Sequence, residues 1–351
     1  INDLSGGMAL NDGGMRLGNA AALGTGALSV GGNTTLDGTT ALSLANAVNL
    51  GSGASLNLLG SQALTLNGVV SGAGGLVKNG AATLTLNAAN TFGGGLTLNA
   101  GGLLLGNGSA LGSGALTVGG AVTLDANSAL SVGNAINVNA GASLNVQGSN
   151  PLTLRGTVSG TGSLVKNGAA RLTLTGANTY TGGTTIYAGT LAIGSGGRLA
   201  ATGAVILGSP GATLDISAGG NQTVGALSSV SSSTVNLGGS TLTFGDATNQ
   251  TLAGVIQGTG GLVKQGAGTL TLTGANSYSG STTVRGGTMA LASGASLSAA
   301  TALDVASGAT FDISQSGSAQ AVGSVAGAGT LNLGSFALNA GGNNNSTTFS
   351  G

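Results

Sequence analysis

The chain has 351 residues, of which 72 are Gly and 2 are Pro, with no Cys, His or Trp, and eight Lys and Arg balance eight Asp to a formal net charge of zero. Gly in this proportion without a three-residue period is not collagen, and 41% hydrophobic content is not a disordered tract. Without imidazole or thiol there is no Ser-His-Asp or Cys-His nucleophile pair and no ordinary zinc or haem site, and the scattered cations make no basic patch for nucleic acid.

Taken in chain order, residues 1–17 read as the end of a unit. Gly13-Gly14-Met15-Arg16-Leu17-Gly18 matches Gly189-Thr190-Leu191-Ala192-Ile193-Gly194 further on. A full unit then runs over 18–105 and returns as 106–193: GNAAALGTGALSVGGNTTLD from Gly18 comes back as GNGSALGSGALTVGGAVTLD from Gly106. A third unit, 194–291, carries GATLDIS at Gly211, which recurs as GATFDIS at Gly308 in a partial unit, 292–351. Lys78, Lys166 and Lys264 mark the spacing, 88 and then 98 residues. Such self-similarity is the sign of a repeat architecture. Beginning at Ile1 and stopping within a unit, the sequence reads as a window on a longer array, a single segment over 1–351.

Within a unit, Leu64-Thr65-Leu66, Leu84-Thr85-Leu86 and Leu96-Thr97-Leu98 place Leu at i and i+2, the period of a strand with one buried face. Clusters such as Asn79-Gly80 and Gly93-Gly94-Gly95 separate them and are expected to supply positive φ at tight turns. No stretch shows helical spacing with caps. No apolar run approaches the ~18 residues of a membrane span, and no segment has the layout of a signal peptide. Eleven or twelve short strands per 88-residue unit are too dense for a sandwich. They predict an all-β solenoid, a parallel β-helix with three strands per turn of about 22 residues, so that 88 residues make four whole turns and the chain about 16, stacked at roughly 4.8 Å. A β-propeller is the alternative, disfavoured by the dearth of aromatics.

The longest copies are ungapped: G-x-[GS]-L-V-K-[NQ]-G, then L-T-L, then A-N-[TS]-[FY], then Gly-rich turns and a closing G-[TG]-[LM], over Gly74–Leu103, Gly162–Leu191 and Gly260–Met289. This pattern resembles the passenger-associated transport repeat of bacterial autotransporters. The resemblance implies a right-handed parallel β-helix passenger, exported through the outer membrane of a Gram-negative bacterium with the help of its own C-terminal β-barrel, the repeat assisting export and folding. No signal peptide, autochaperone segment or barrel is recognisable in this stretch. Zero Cys suits a chain threaded unfolded through the oxidising periplasm.

The motif residues read as structural. Gly72-Ala73-Gly74-Gly75 before Lys78 lacks the Gly-Lys-Ser/Thr of a phosphate loop. Asn90, Asn178 and Asn276 suit left-handed turns or side-chain bonds to backbone, and Phe92, Tyr180 and Tyr278 suit core or turn packing. Tyr187, whose equivalents are Asn99 and Arg285, is a surface candidate. The recurring Asp37, Asp125, Asp215 and Asp312 are expected at turns, four turns or roughly 19 Å apart, beyond the 5–9.5 Å of glycosidic carboxylate pairs. Non-equivalent pairs such as Asp304 with Asp312 have a spacing that would let them approach across a turn. No catalytic, metal or cofactor site and no small-molecule substrate is expected.

Two classes of function follow. In one the chain is a cell-surface stalk and adhesin whose neutral sides bind like chains or a glycan or protein receptor, giving aggregation, biofilm or attachment. In the other it is a passive spacer or export-promoting scaffold for an effector or enzyme domain elsewhere.

Overall fold

The computed structural model describes residues 4–351, so Asp3 among the eight acids lies outside the described residues. The chain divides into two compact units, Ile1–Gly182 and Gly183–Gly351, and each is a parallel β-solenoid. Short strands, mostly of three or four residues, account for nearly all of the regular structure, and among the described residues the one helical element is the 3-10 turn Ala20–Leu23. The 18–105 stretch holds eleven strands.

In the first unit the turns have three faces, and several of them present a strand on each. Leu42–Leu44, Val48–Leu50 and Ser55–Leu58 form one turn, and Leu64–Leu66, Val70–Gly72 and Gly75–Lys78 the next. The registers Leu44↔Leu66, Leu50↔Gly72 and Leu58↔Lys78 stack the second turn on the first in parallel. Every second side chain points inward, as strand geometry requires. Leu56, Leu76, Leu96, Leu116 and Ile136 therefore form one continuous interior column, each at most 2% exposed. Full burial contributes roughly 1.5–3 kcal/mol per side chain of this size. Thr and Asn at the alternate positions face outward.

The pairing step explains a departure from the expected layout. Most strands in this unit pair with one about 20 residues later, as in Leu56↔Leu76 and Leu76↔Leu96, rather than 22. An 88-residue repeat is then four turns plus one further face, not four whole turns. Accordingly Lys78 sits in the ladder containing Ser55–Leu58 and Leu96–Leu98. Lys166 sits instead in the ladder of Ser143–Val146, Ala121–Ala126, Gly101–Leu105 and Leu84–Leu86. Asp37 and Asp125 are split between the same two ladders. Sequence-equivalent residues lie on different faces of the solenoid.

In the second unit the same construction recurs. One ladder runs Thr184–Ile186, Val205–Leu207, Leu227–Ser229, Gln250–Leu252, Thr269–Leu272, Thr288–Leu291, Thr310–Asp312 and Thr330–Asn332. A second joins Thr190–Ile193, Thr213–Asp215, Thr234–Asn236 and Val255–Gln257, and a third begins at Gln222–Thr223 and continues through Leu242–Phe244 and Leu262–Lys264.

The turn glycines act in two ways. Of Asn79, Gly80, Gly93, Gly94 and Gly95, only Gly95 has positive φ, which corrects the expectation for the other four. At Gly80 the constraint is proximity: a Cβ there would lie 1.9 Å from the Leu59 carbonyl oxygen. Turns stacked at strand spacing bring backbone against backbone at the corners, and a missing side chain is what lets them close.

Candidate functional site: the repeat motif

Each motif copy opens on a strand ending in Lys, and that Lys points inward. Lys78, Lys166 and Lys264 are 1%, 0% and 2% exposed. A buried ammonium requires acceptors, and the corner carbonyls supply them. The Lys78 Nζ donates to the Gly80 and Ala100 carbonyls. Lys166 donates to the Gly168 carbonyl. Lys264 donates to Gln265 (3.1 Å), Gly266 (2.8 Å) and Gly286 (2.8 Å). Desolvation lowers the pKa of all three, and for Lys264 the Asp246 carboxylate opposes that shift. The Lys-Asn-Gly or Lys-Gln-Gly corner is thus tied by its own lysine to the chain one turn on, at Ala100 and Gly286.

After the L-T-L strand comes A-N-x-aromatic, where a loop held by asparagine takes the place that the strand Val70–Gly72 has in the preceding turn. Asn90 Oδ1 accepts from the Val70 N–H at 2.8 Å, one turn back, and its Nδ2 donates to the Ala110 carbonyl at 2.7 Å, one turn forward. Asn276 repeats this between the Ile256 N–H (3.0 Å) and the Ser296 carbonyl (3.2 Å). Asn178 accepts from the Val158 N–H at 2.8 Å and donates to the Gly176 carbonyl at 3.0 Å. All three are within 5% of full burial, and none has positive φ. They work through side-chain bonds to backbone, not left-handed turns. Two residues on, Phe92, Tyr180 and Tyr278 are at most 1% exposed. The Tyr278 hydroxyl shares a 2.5 Å hydrogen bond with Thr282 Oγ1. Burial raises its pKa against the pull of that bond.

The recurring acids are engaged at strand ends. Asp37 Oδ1 accepts from the Ser61 N–H at 3.1 Å, and Asp125 takes the Ser149 N–H at 3.1 Å and the Ser149 hydroxyl at 2.5 Å. Burial raises the pKa of Asp37, but the bonds from Ser61 and Gly38 and the Arg16 charge outweigh it and leave the pKa lowered. Asp215 accepts from the Ser217 N–H and hydroxyl and from Asn236 Nδ2 at 3.1 Å. Asp312 repeats the pattern with the Ser314 N–H at 2.8 Å and Asn332 Nδ2 at 3.0 Å. Asp304 and Asp312 occupy different ladders, the first beside Thr283 and the second beside Ala290. Among the described residues no three Asp gather where a metal ion could be held. Sequence reasoning missed the serine partners, although Ser61 and Ser149 stand at the same 88-residue spacing as Asp37 and Asp125.

Tyr187 is 49% exposed, and every other aromatic side chain among the described residues is buried or half-buried. Beside it, Ile206 and Val230 are 42% and 37% exposed. Neither was singled out from sequence, because an isolated exposed Ile or Val carries no pattern.

Three segments of the chain, residues 76–105, 164–193 and 262–291, match the family model described as the passenger-associated transport repeat. Together they make up about a quarter of the chain. Each runs from the Lys strand through the asparagine loop to the strand that closes the turn. No curated protein and no solved structure matches the chain. The chain is thus a β-solenoid carrying three copies of the repeat found in autotransporter passengers, a class exported to the cell surface or extracellular space.

Proposed function

We propose that this passenger is a structural stalk with adhesive sides, presented on the surface of a Gram-negative cell after passage through the outer membrane by way of its own C-terminal β-barrel, and serving aggregation, biofilm formation or attachment. The observation that carries the reading is the contrast between interior and exterior. The motif lysines, asparagines and rings are all consumed by internal bonds and packing, whereas many outward positions are Thr, Ser and Asn, with long uncharged stretches between the few acids and arginines, suited to contact with another neutral surface. In the second unit Thr185, Ile206, Ser228, Thr251, Thr271 and Ala290 follow one another outward across adjacent strands before the first acid, Asp312.

The reading includes no catalysis. It is supported by the engagement of the repeated acids with serine, asparagine and backbone N–H groups, and by the burial of the three lysines. Partners are then a second copy of the chain, or a glycan or protein receptor. Displaying the chain on non-aggregating cells and measuring settling and retention on a coated surface tests this: a gain in either supports it, and no gain in both removes the adhesive role.

A further inference from the structure

The second unit carries one exposed apolar patch built around a ring. The Ile186↔Leu207 and Leu207↔Ser229 registers place Tyr187, Gly208 and Val230 side by side, each just past the end of one of three stacked strands. A Cβ added to Gly208 would lie 2.9 Å from Tyr187 Cε1 and 3.1 Å from Cδ1. The ring is therefore laid over the glycine, braced by backbone on one side and open to solvent on the other. Ile206 flanks it, with Thr185 and Ser228 as its outward neighbours across the ladder.

We infer that this patch is a binding site for a neutral saccharide. The inference rests on the attachment reading above and names its ligand class. A pyranose offers an apolar C–H face and a rim of hydroxyls, and the patch offers a preplaced ring with aliphatic side chains and a hydroxyl on either side. Its charge selects against the alternatives. No charged residue lies on the outward row from Thr185 to Ala290, so an acidic or basic peptide finds no counter-charge. A nucleic acid strand would stack on the ring but needs cations along its backbone. A quaternary ammonium needs several rings in a cage, and there is one. The strand spacing of about 4.8 Å lets an extended oligosaccharide run along the ladder over Ser228, Thr251 and Thr271.

The test uses the purified chain and a panel of neutral gluco-, galacto- and manno-oligosaccharides, read by calorimetry and by protection of Tyr187 from nitration, with the buried Tyr180 and Tyr278 as internal references. At least one series is expected to bind and to protect Tyr187. Tyr187→Ala is expected to weaken binding about tenfold, and Tyr187→Phe to change it little, because the ring face rather than the hydroxyl makes the contact. Gly208→Ala keeps the ring but tilts it off its seat, and is expected to approach the Tyr187→Ala loss. Identical circular dichroism for the variants guards against misfolding. Absence of binding to all three series, or binding that Tyr187→Ala leaves intact, overturns the site. If displayed cells still settle in that case, adhesion survives by another route; if sedimentation shows that Tyr187→Ala abolishes self-association instead, the patch is a contact between copies.

Discussion

The Asn90 side chain and the Val70 backbone form a hydrogen bond in which an amide oxygen stands where a strand carbonyl would otherwise be, at 2.8 Å. The other end of the same side chain reaches the Ala110 carbonyl, so one residue joins three successive turns. Asn90→Ala leaves a buried N–H and a buried carbonyl without partners, and an unsatisfied buried group costs about 1–3 kcal/mol. The expected loss of stability in denaturant unfolding is in that range. Asn90→Asp keeps the acceptor for Val70 but sets a carboxylate against the Ala110 carbonyl, and is expected to be no less damaging at neutral pH.

The buried lysines predict a rise in stability toward alkaline pH. Burial holds the Lys78 and Lys166 pKa values below that of an ordinary lysine. Between that lowered pKa and the ordinary lysine value the unfolded chain binds more protons than the folded one, and stability rises with pH wherever this is so. Below the folded-state pKa both states are protonated and the contribution is flat. Lys78→Met removes one titrating group, so the slope of unfolding free energy against pH over that alkaline window is expected to be shallower than in the wild type. An equal or steeper slope would show that the corner carbonyls compensate the desolvation.

Gly160 and Gly141 separate two roles of glycine that composition merges. Both have positive φ, +99° and +72°, but a Cβ on Gly160 would lie 2.0 Å from the Val138 carbonyl oxygen, whereas nothing is within 4 Å of one on Gly141. Gly141→Ala is expected to cost only the left-handed conformation, about 1–2 kcal/mol. Gly160→Ala must also push apart two stacked turns and is expected to cost clearly more. Paired thermal or denaturant melts decide it.

Much of this was legible in the sequence. The Leu-Thr-Leu runs gave strands where expected, because a period of two is local information. The self-similarity of Gly74–Leu103, Gly162–Leu191 and Gly260–Met289 revealed the repeat. The burial of Lys78 was not readable: a lysine is normally a surface residue, and only the Gly80 and Ala100 carbonyls folded over it make its interior position tolerable. Nor was the face of each copy. That depends on residues per turn, and a shift from about 22 to about 20 changes no local pattern while moving every fourth turn on by one side.

That last point has a direct test in the first unit. If 88 residues were four whole turns, Val77 and Val165 would lie on one face, four strand spacings apart. In the structure Val165 instead shares its column with Asn145, Thr123, Gly102 and, beyond it, Thr83. Spin labels at Thr83 and Val165 are therefore expected to report a backbone separation of about 19 Å, four spacings of roughly 4.8 Å, while Val77 and Val165, on different ladders, are expected to give a different distance. All three positions face outward, and the protein has no cysteine, so labels can be placed without background or disturbance of the core. The result bears on function as well as fold. A ligand reading the same outward residue in two repeats would have to reach around the solenoid, so avidity from repeated motifs is expected only for a partner that wraps it. One docking along a single face meets instead the neighbours that the 20-residue step brings together.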